Sequence, residues 1–241
     1  MISRQRAVRF VWVVFGVLAA VHLVAQLVGA DGVANVSQWF LMPVLASVLW
    51  MSTGPGRSRL VILTLVALGL SWMGDTAPDL ADGDVSFLVM VGFFLLAQIA
   101  YIVAFAPYGR AEIWGRRRRS TIGCLVAVGL LILACAPGAG PLLVPALLYG
   151  AALGAMAILA AGVDRRVAVG GALFLVSDGM IALGAFADWF SPPAEGFWVM
   201  VTYIAAQVLI VLGVLDVAHG RGSAPMPLRA EPEGGRSSPV R

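Results

Sequence analysis

The sequence predicts an all-α membrane protein, built as an eight-helix transmembrane bundle, and three observations carry that prediction. Of its 241 residues, 60% are hydrophobic and only 12% are charged, about half the charged share of a soluble domain. The apolar residues gather into eight runs, at approximately 8 to 28, 36 to 52, 60 to 75, 86 to 106, 120 to 136, 141 to 161, 167 to 187 and 196 to 218. Every basic side chain other than the two histidines is an arginine, and the arginines occupy alternate loops only.

Taken in order, the first run holds His22 and Gln26 and leads into another apolar run with no small-residue cleavage site. It therefore reads as a retained helix, not a signal peptide. Several runs are a little shorter than the roughly 20 residues that span a bilayer upright, yet none is broken by a buried Arg or Lys. Apolar stretches of this length satisfy their own backbone hydrogen bonds only as helices. The fifth run carries both cysteines, Cys124 and Cys135, which lie about 16 Å apart along one helix axis and read as packing residues, not a disulfide. Residues 1–220 form the transmembrane domain. The tail at 221–241, RGSAPMPLRAEPEGGRSSPVR, is rich in Pro, Gly, Ser and charge and is expected to be disordered.

Orientation follows from the arginines. They precede helix 1 (Arg4, Arg6, Arg9) and lie between helices 2 and 3 (Arg57, Arg59), 4 and 5 (Arg110 and Arg116 to Arg119), and 6 and 7 (Arg165, Arg166), with the remainder in the tail. The opposite loops carry Asp31, Asp79, Asp82, Asp84, Asp188 and Glu195 and no cation. Basic loops stay inside, so both termini are expected to be cytoplasmic, in a bacterial cytoplasmic membrane. The run at 116 to 119 reads as a topology signal before a grip on anionic headgroups. No nucleic-acid partner is expected, and the oligomeric state is open.

The order of features repeats. Pro43 in FLMPVLASVL answers to Pro145 in LLVPALLYGA, and Gly74-Asp75 to Ser177-Asp178, while LLAQIAYIVAF answers to YIAAQVLIVLG. This predicts two repeats, 8–106 and 120–218, parallel because each has an even number of spans.

Asp75 and Asp178 are the leading candidates for function. A carboxylate in or near hydrocarbon is costly unless protonated, paired or wetted, so it marks a site more often than packing. Gln98 with Tyr101, spaced i, i+3, and Tyr203 with Gln207, spaced i, i+4, each share a helical face. Singly, such residues act as interhelical glue worth about 0.6 kcal/mol. Beside two acids they suggest a polar cavity in the outer half of the membrane. His22 reads as a packed or bridging residue. There is no HExxH motif or cysteine cluster to hold a metal, and no GxSxG motif. No metal or cofactor is expected, and carboxylate acid and base chemistry remains.

With these motifs in view, the chain resembles the YhhN family of lysoplasmalogenase-like multipass membrane proteins. The likeness rests on SQWFLMPVLASVL, LSWMGD, FFLLAQIAYIVAF, ALFLVSDGMIAL and VTYIAAQVLIVLG and covers roughly residues 8 to 218. It implies an eight-helix fold and hydrolysis of the vinyl ether bond of a lysophospholipid, the lysoplasmalogen, to a fatty aldehyde and a glycerophospho-alcohol. Asp75 and Asp178 match the family's two acidic positions and would be catalytic. Gln38, Gln98, Tyr101, Ser177, Tyr203 and Gln207 would bind substrate. Two positions depart from the family pattern: Gln38 stands where a lysine is common, and Gln98 where a histidine is. Both bear on headgroup choice and on whether the activity is kept.

Vinyl ether hydrolysis needs a neutral acid and an anion together, which two carboxyls sharing one proton supply. Asp178, the deeper, is expected to be the acid, and Asp75 to stabilise the cation and activate water. A proton-coupled transporter of a small molecule or lipid is the alternative, since paired helix prolines and membrane acids also mark transport sites. An intramembrane aspartyl protease is a weaker one, because Trp72 replaces the first glycine of the GxGD pattern.

Overall fold

The structure is a computed structural model that describes residues 2–80, 83–109 and 118–220. The expectations placed on Asp82, Arg110, Arg116, Arg117, the side chains of Asp84 and Arg119, and the tail from residue 221 lie outside the described residues. Among the described residues there is no strand. The α-helices are α1 (Ile2–Val28), α2 (Asp31–Ser52), α3 (Arg59–Thr76), α4 (Gly83–Gly109), α5 (Arg118–Ala139), α6 (Leu143–Val163), α7 (Arg165–Phe186) and α8 (Glu195–Ala218), with 3-10 turns at Ala77–Leu80 and Gly140–Leu142. Seven helical stretches are long and apolar enough to cross a membrane; one of them, Ser120–Val163, takes in α5, its 3-10 turn and α6. The chain is a multi-pass membrane protein.

The helices outrun the apolar runs that announce them. α1 takes up Arg4, Arg6 and Arg9, because an arginine at a helix end reaches water along its stem. Arg4 donates from Nε to the Met51 carbonyl at 2.8 Å and from a terminal nitrogen to that of Thr53 at 2.6 Å. These are carbonyls that the end of α2 leaves without helical partners. α2 begins at Asp31, five residues early, with a carboxylate in its first turn, where the helix dipole favours negative charge. Asp164 caps α7 by accepting from the Arg166 N–H at 2.8 Å, and Ser58 caps α3 through the Val61 N–H at 3.4 Å. The two prolines differ in place. Pro43 lies inside α2, whereas Pro145 sits in the first turn of α6, where its missing N–H costs nothing.

α8 is the central post: it packs on α7 and also touches α1, α2, α3 and α6. α4 lies on α3 and α6, and α5 on α6 and α7, but α4 and α5 do not pack on one another. Small residues allow the close approaches, as is usual between membrane helices. A side chain at Gly170 would meet the Ala206 carbonyl of α8 at 2.8 Å, and one at Gly171 the Ala160 methyl of α6 at 2.9 Å. The described arginines gather at one end of the bundle, where Arg166 pairs with Asp216 at 2.8 Å and His219 Nε2 lies 3.1 Å from the Ser52 carbonyl. Asp31, Asp79, Asp188 and Glu195 mark the other end.

Candidate active site

Asp75 stands at the last turn of α3, its side chain 9% exposed. Two donors hold it: the Tyr203 hydroxyl of α8 at 2.8 Å on Oδ2 and the Gln38 amide of α2 at 3.3 Å on Oδ1. Asp178, 5% exposed, lies eight residues before the end of α7, or about 12 Å into the bundle from the acidic end. Two donors hold it as well, and both meet Oδ2. The Tyr149 hydroxyl of α6 is 2.6 Å away and the Gln98 amide of α4 is 3.0 Å away. A carboxylate that accepts two such bonds in an apolar interior is paired by dipoles in place of a cation.

The two holdings follow one scheme. Each aspartate takes one donor from the helix before its own, α2 or α6, and one from the last helix of the other half, α8 or α4. Toward the arginine end lies a second polar layer. Tyr101 donates to Gln207 Oε1 at 2.6 Å, and the Gln207 amide donates to the Ser71 hydroxyl at 3.1 Å. All three side chains are fully buried, so this layer ties α3, α4 and α8 together away from any lipid.

Among the described residues no hydrogen bond joins Asp75 to Asp178. Phe94, Phe174 and Tyr203 meet edge to face, with centroids 5.7 to 6.3 Å apart, a favourable aromatic geometry. Phe94 touches both surroundings: its ring packs against Gly74, where an added Cβ would lie 2.8 Å from it, and it lines a cavity that Asp178 also faces. Gly74 is thus required by the ring beside Asp75.

That cavity lies between α4, α5, α6 and α7 and has a volume of about 80 Å³. Its walls are apolar, formed by residues such as Phe87, Leu131, Ile132, Ala182 and Phe186, and the polar side chains facing it are Tyr149, Asp178 and Cys135. Asp178 is therefore the candidate acid with access to a ligand, while Asp75 faces Gln38, half-buried beside it.

The structure gathers Asp75, Asp178, Gln38, Gln98, Tyr101, Tyr203 and Gln207 into this region. Ser177 is turned elsewhere, onto α8, where its hydroxyl donates to the Val199 carbonyl at 3.0 Å. His22 bridges α1 to α2: its Nδ1 lies 3.0 Å from the Ala34 carbonyl and 3.0 Å from the Ser37 hydroxyl. Cys124 and Cys135 are free thiols on α5, and among the described residues no group of three or more His, Cys, Asp or Glu could hold a metal ion. Sequence reasoning missed Tyr149. Its signal was a lone phenol in an apolar run, four residues after Pro145, in the helix that answers to the one bearing Gln38.

Two mycobacterial proteins, from Mycobacterium bovis and Mycobacterium tuberculosis, both named lysoplasmalogenase, are each 32% identical to this chain over 178 residues, spanning 71% of it and 67% of themselves. No solved structure matches the chain. The YhhN family profile matches residues 33–214, a stretch that contains both held carboxyls and all but the first helix and the flanking segments. The chain belongs to the YhhN family.

Proposed function

We propose that this protein is a membrane-embedded hydrolase that cleaves the vinyl ether bond of lysoplasmalogen-type lysophospholipids, with Asp178 as the acid. The observation that carries the proposal is Asp178 itself, a carboxyl held by two neutral donors in the wall of an otherwise apolar cavity. The mycobacterial relatives' name supports it.

In the reaction, the Asp178 carboxyl gives its proton to the second carbon of the alkenyl chain. The ether oxygen shares a lone pair with the first carbon, which becomes an oxocarbenium ion. Water adds to that carbon and yields a proton to a carboxylate. The hemiacetal hydroxyl then gives its proton to a carboxylate as a carboxyl protonates the departing glycerol oxygen, leaving a fatty aldehyde and the glycerophospho-alcohol. General acid catalysis of this kind contributes about 10² to 10⁴-fold. Asp75 supplies the balancing negative charge and activates the water. Tyr203 and Gln38 orient Asp75; Gln98 orients Asp178; Tyr101 and Gln207 hold the helices that carry these groups.

The eight helices cross the bilayer eight times in this reading, with α5 and α6 as separate spans, the arginine end and both termini in the cytoplasm, and residues 221–241 as a cytoplasmic tail. The exchange of donors between halves supports a duplicated origin, with repeats 8–106 and 120–218. A cavity confined to one end of the bundle favours hydrolysis over alternating-access transport, which needs a site reachable from both sides.

Aldehyde release from lysoplasmenylethanolamine by the purified protein tests the proposal. Wild type releases aldehyde, and Asp178→Asn and Asp75→Asn each lower the rate by about 10² or more. Full activity in the Asp178→Asn variant would end the acid assignment.

A further inference from the structure

At the arginine end, side chains take each of the four carbonyls from Trp50 to Thr53 that finish α2. Arg57 donates to the Trp50 carbonyl at 3.0 Å, and Arg4 donates to those of Met51 and Thr53. The ring nitrogen Nε2 of His219 donates to the Ser52 carbonyl, because a carbonyl can only accept. Arg4 uses two of its five N–H donors in this way, and the two bonds fix the plane of its guanidinium with three donors left over. Beside it lies a groove of about 660 Å³, between the first turns of α1 and the ends of α2 and α8. Arg4, Gln5, Arg9 and His219 stand around the groove, and Val8 and Met51 give it an apolar wall. No carboxylate is among the described residues that line it. Asp216, three residues before His219, is engaged by Arg166 at 2.8 Å. Among the described residues neither a hydrogen bond nor an ion pair holds Arg9.

The geometry points to this groove as a binding site for the phosphate of an anionic phospholipid, separate from Asp75 and Asp178, which lie toward the other end of the bundle. Three features select that occupant. The Arg4 guanidinium is preset: its planar fork matches two phosphate oxygens, and a donor already held in place loses less freedom on binding. Two guanidiniums without a lining acid leave the groove positive, and the end of α2, whose bare carbonyls would repel an anion, is covered by their donors and that of His219. The face of α1 that carries Arg9 then continues as bare apolar surface: Val13 and Val17 follow at four-residue steps and are 62% and 60% exposed. Chains of a lipid whose phosphate meets Arg9 lie along that face, whereas a free phosphate makes no use of it. Membrane topology calls for arginines at this end but not for two of them to flank one groove, and Arg6, exposed on the same helix, is not part of it.

The test is native mass spectrometry of the full-length protein in detergent, titrated with phosphatidylglycerol, with phosphatidylcholine of the same chains, or with glycerol 3-phosphate, an anion of the same kind without chains. Phosphatidylglycerol is expected to fill one saturable site, and both phosphatidylcholine, whose ammonium offsets its phosphate, and glycerol 3-phosphate to bind there more weakly. Arg9→Gln breaks no bond within the described protein and should raise the Kd for phosphatidylglycerol about fivefold, the loss expected for one arginine near a membrane surface. Arg6→Gln removes the same charge from outside the groove and should leave that Kd unchanged. Equal shifts in the two variants would mean diffuse attraction to the whole arginine end and would overturn the site. Phosphatidylcholine binding as tightly as phosphatidylglycerol would overturn its selection of an anion. Glycerol 3-phosphate binding as tightly, with the same dependence on Arg9, would replace the lipid by a soluble phosphate. Neither aspartate takes part in these measurements, so their outcome is independent of the hydrolase reading.

Discussion

Both donors to Asp178 reach the same oxygen, and the phenol of Tyr149 is the shorter of the two bonds. A hydrogen bond between neutral groups is worth about 0.5 to 1.5 kcal/mol, enough to bias which carboxyl oxygen carries the proton toward the reacting carbon. Tyr149→Phe removes that bond and almost nothing else, since the ring still fills its place on α6. Steady-state kinetics on the lysoplasmenyl substrate should show kcat lowered by roughly tenfold or more with KM nearly unchanged, the mark of a group that positions the acid without holding the substrate. An unchanged kcat would reduce Tyr149 to a wall of the cavity. The aspartates were legible in the sequence because a charge in an apolar run has few bland explanations. Gln98, Tyr101, Tyr203 and Gln207 were legible as pairs on one face. Tyr149 was not, because a single tyrosine in LLVPALLYGA satisfies the ordinary preference for one polar atom on an aromatic ring, and its partner lies 29 residues away on another helix.

At the scale of elements, α7 is placed by absence of side chains. Gly170 and Gly171 lie on its two packed faces, toward α8 and α6 respectively, so α7 can sit deep enough for Asp178 to be reached from both α4 and α6. Gly171→Leu would force the α6 backbone away, and overpacking of this kind costs about 1 to 3 kcal/mol. A lowered thermal midpoint in detergent, together with loss of aldehyde release, is the expected outcome; a midpoint equal to wild type would show that α7 and α6 have room the packing does not suggest. The all-helical class could be read from hydropathy, but the helix starts less well, since α1 begins six residues and α2 five residues before its apolar run. The cavity could not, because residues of four helices line it and no single helix records how the other three approach. The unequal prolines were hidden for a similar reason: a proline in the middle of an apolar run and one at its first turn look alike until the helix start is known.

For the whole molecule, charge and aromatic side chains divide the bundle into two ends. Arg4, Arg57, Arg59, Arg118, Arg165 and Arg166 occupy one end, where the Arg57 guanidinium stacks 3.4 Å from the Trp50 ring centre. At the other, Trp39 donates to Asp79 at 2.8 Å, Trp72 donates to the Trp39 carbonyl at 2.9 Å, and Trp189 and Trp198 are exposed. Tryptophans at the two levels are the anchors of a protein held at both membrane surfaces. The stretch Ser120–Val163 has 44 residues, twice what one crossing needs, and α5 packs back on α6 across the 3-10 turn at Gly140–Leu142. Two crossings would put that turn on the same face as Asp188 and opposite Gly56. Single cysteines at these places, in a protein whose Cys124 and Cys135 have first been replaced by alanine, separate the possibilities. Pro141→Cys and Asp188→Cys should react with a membrane-impermeant maleimide in intact cells, and Gly56→Cys only after the membrane is opened. If Pro141→Cys stays silent under both conditions while Asp188→Cys reacts, the turn is inside the bilayer and α5 and α6 form a re-entrant pair.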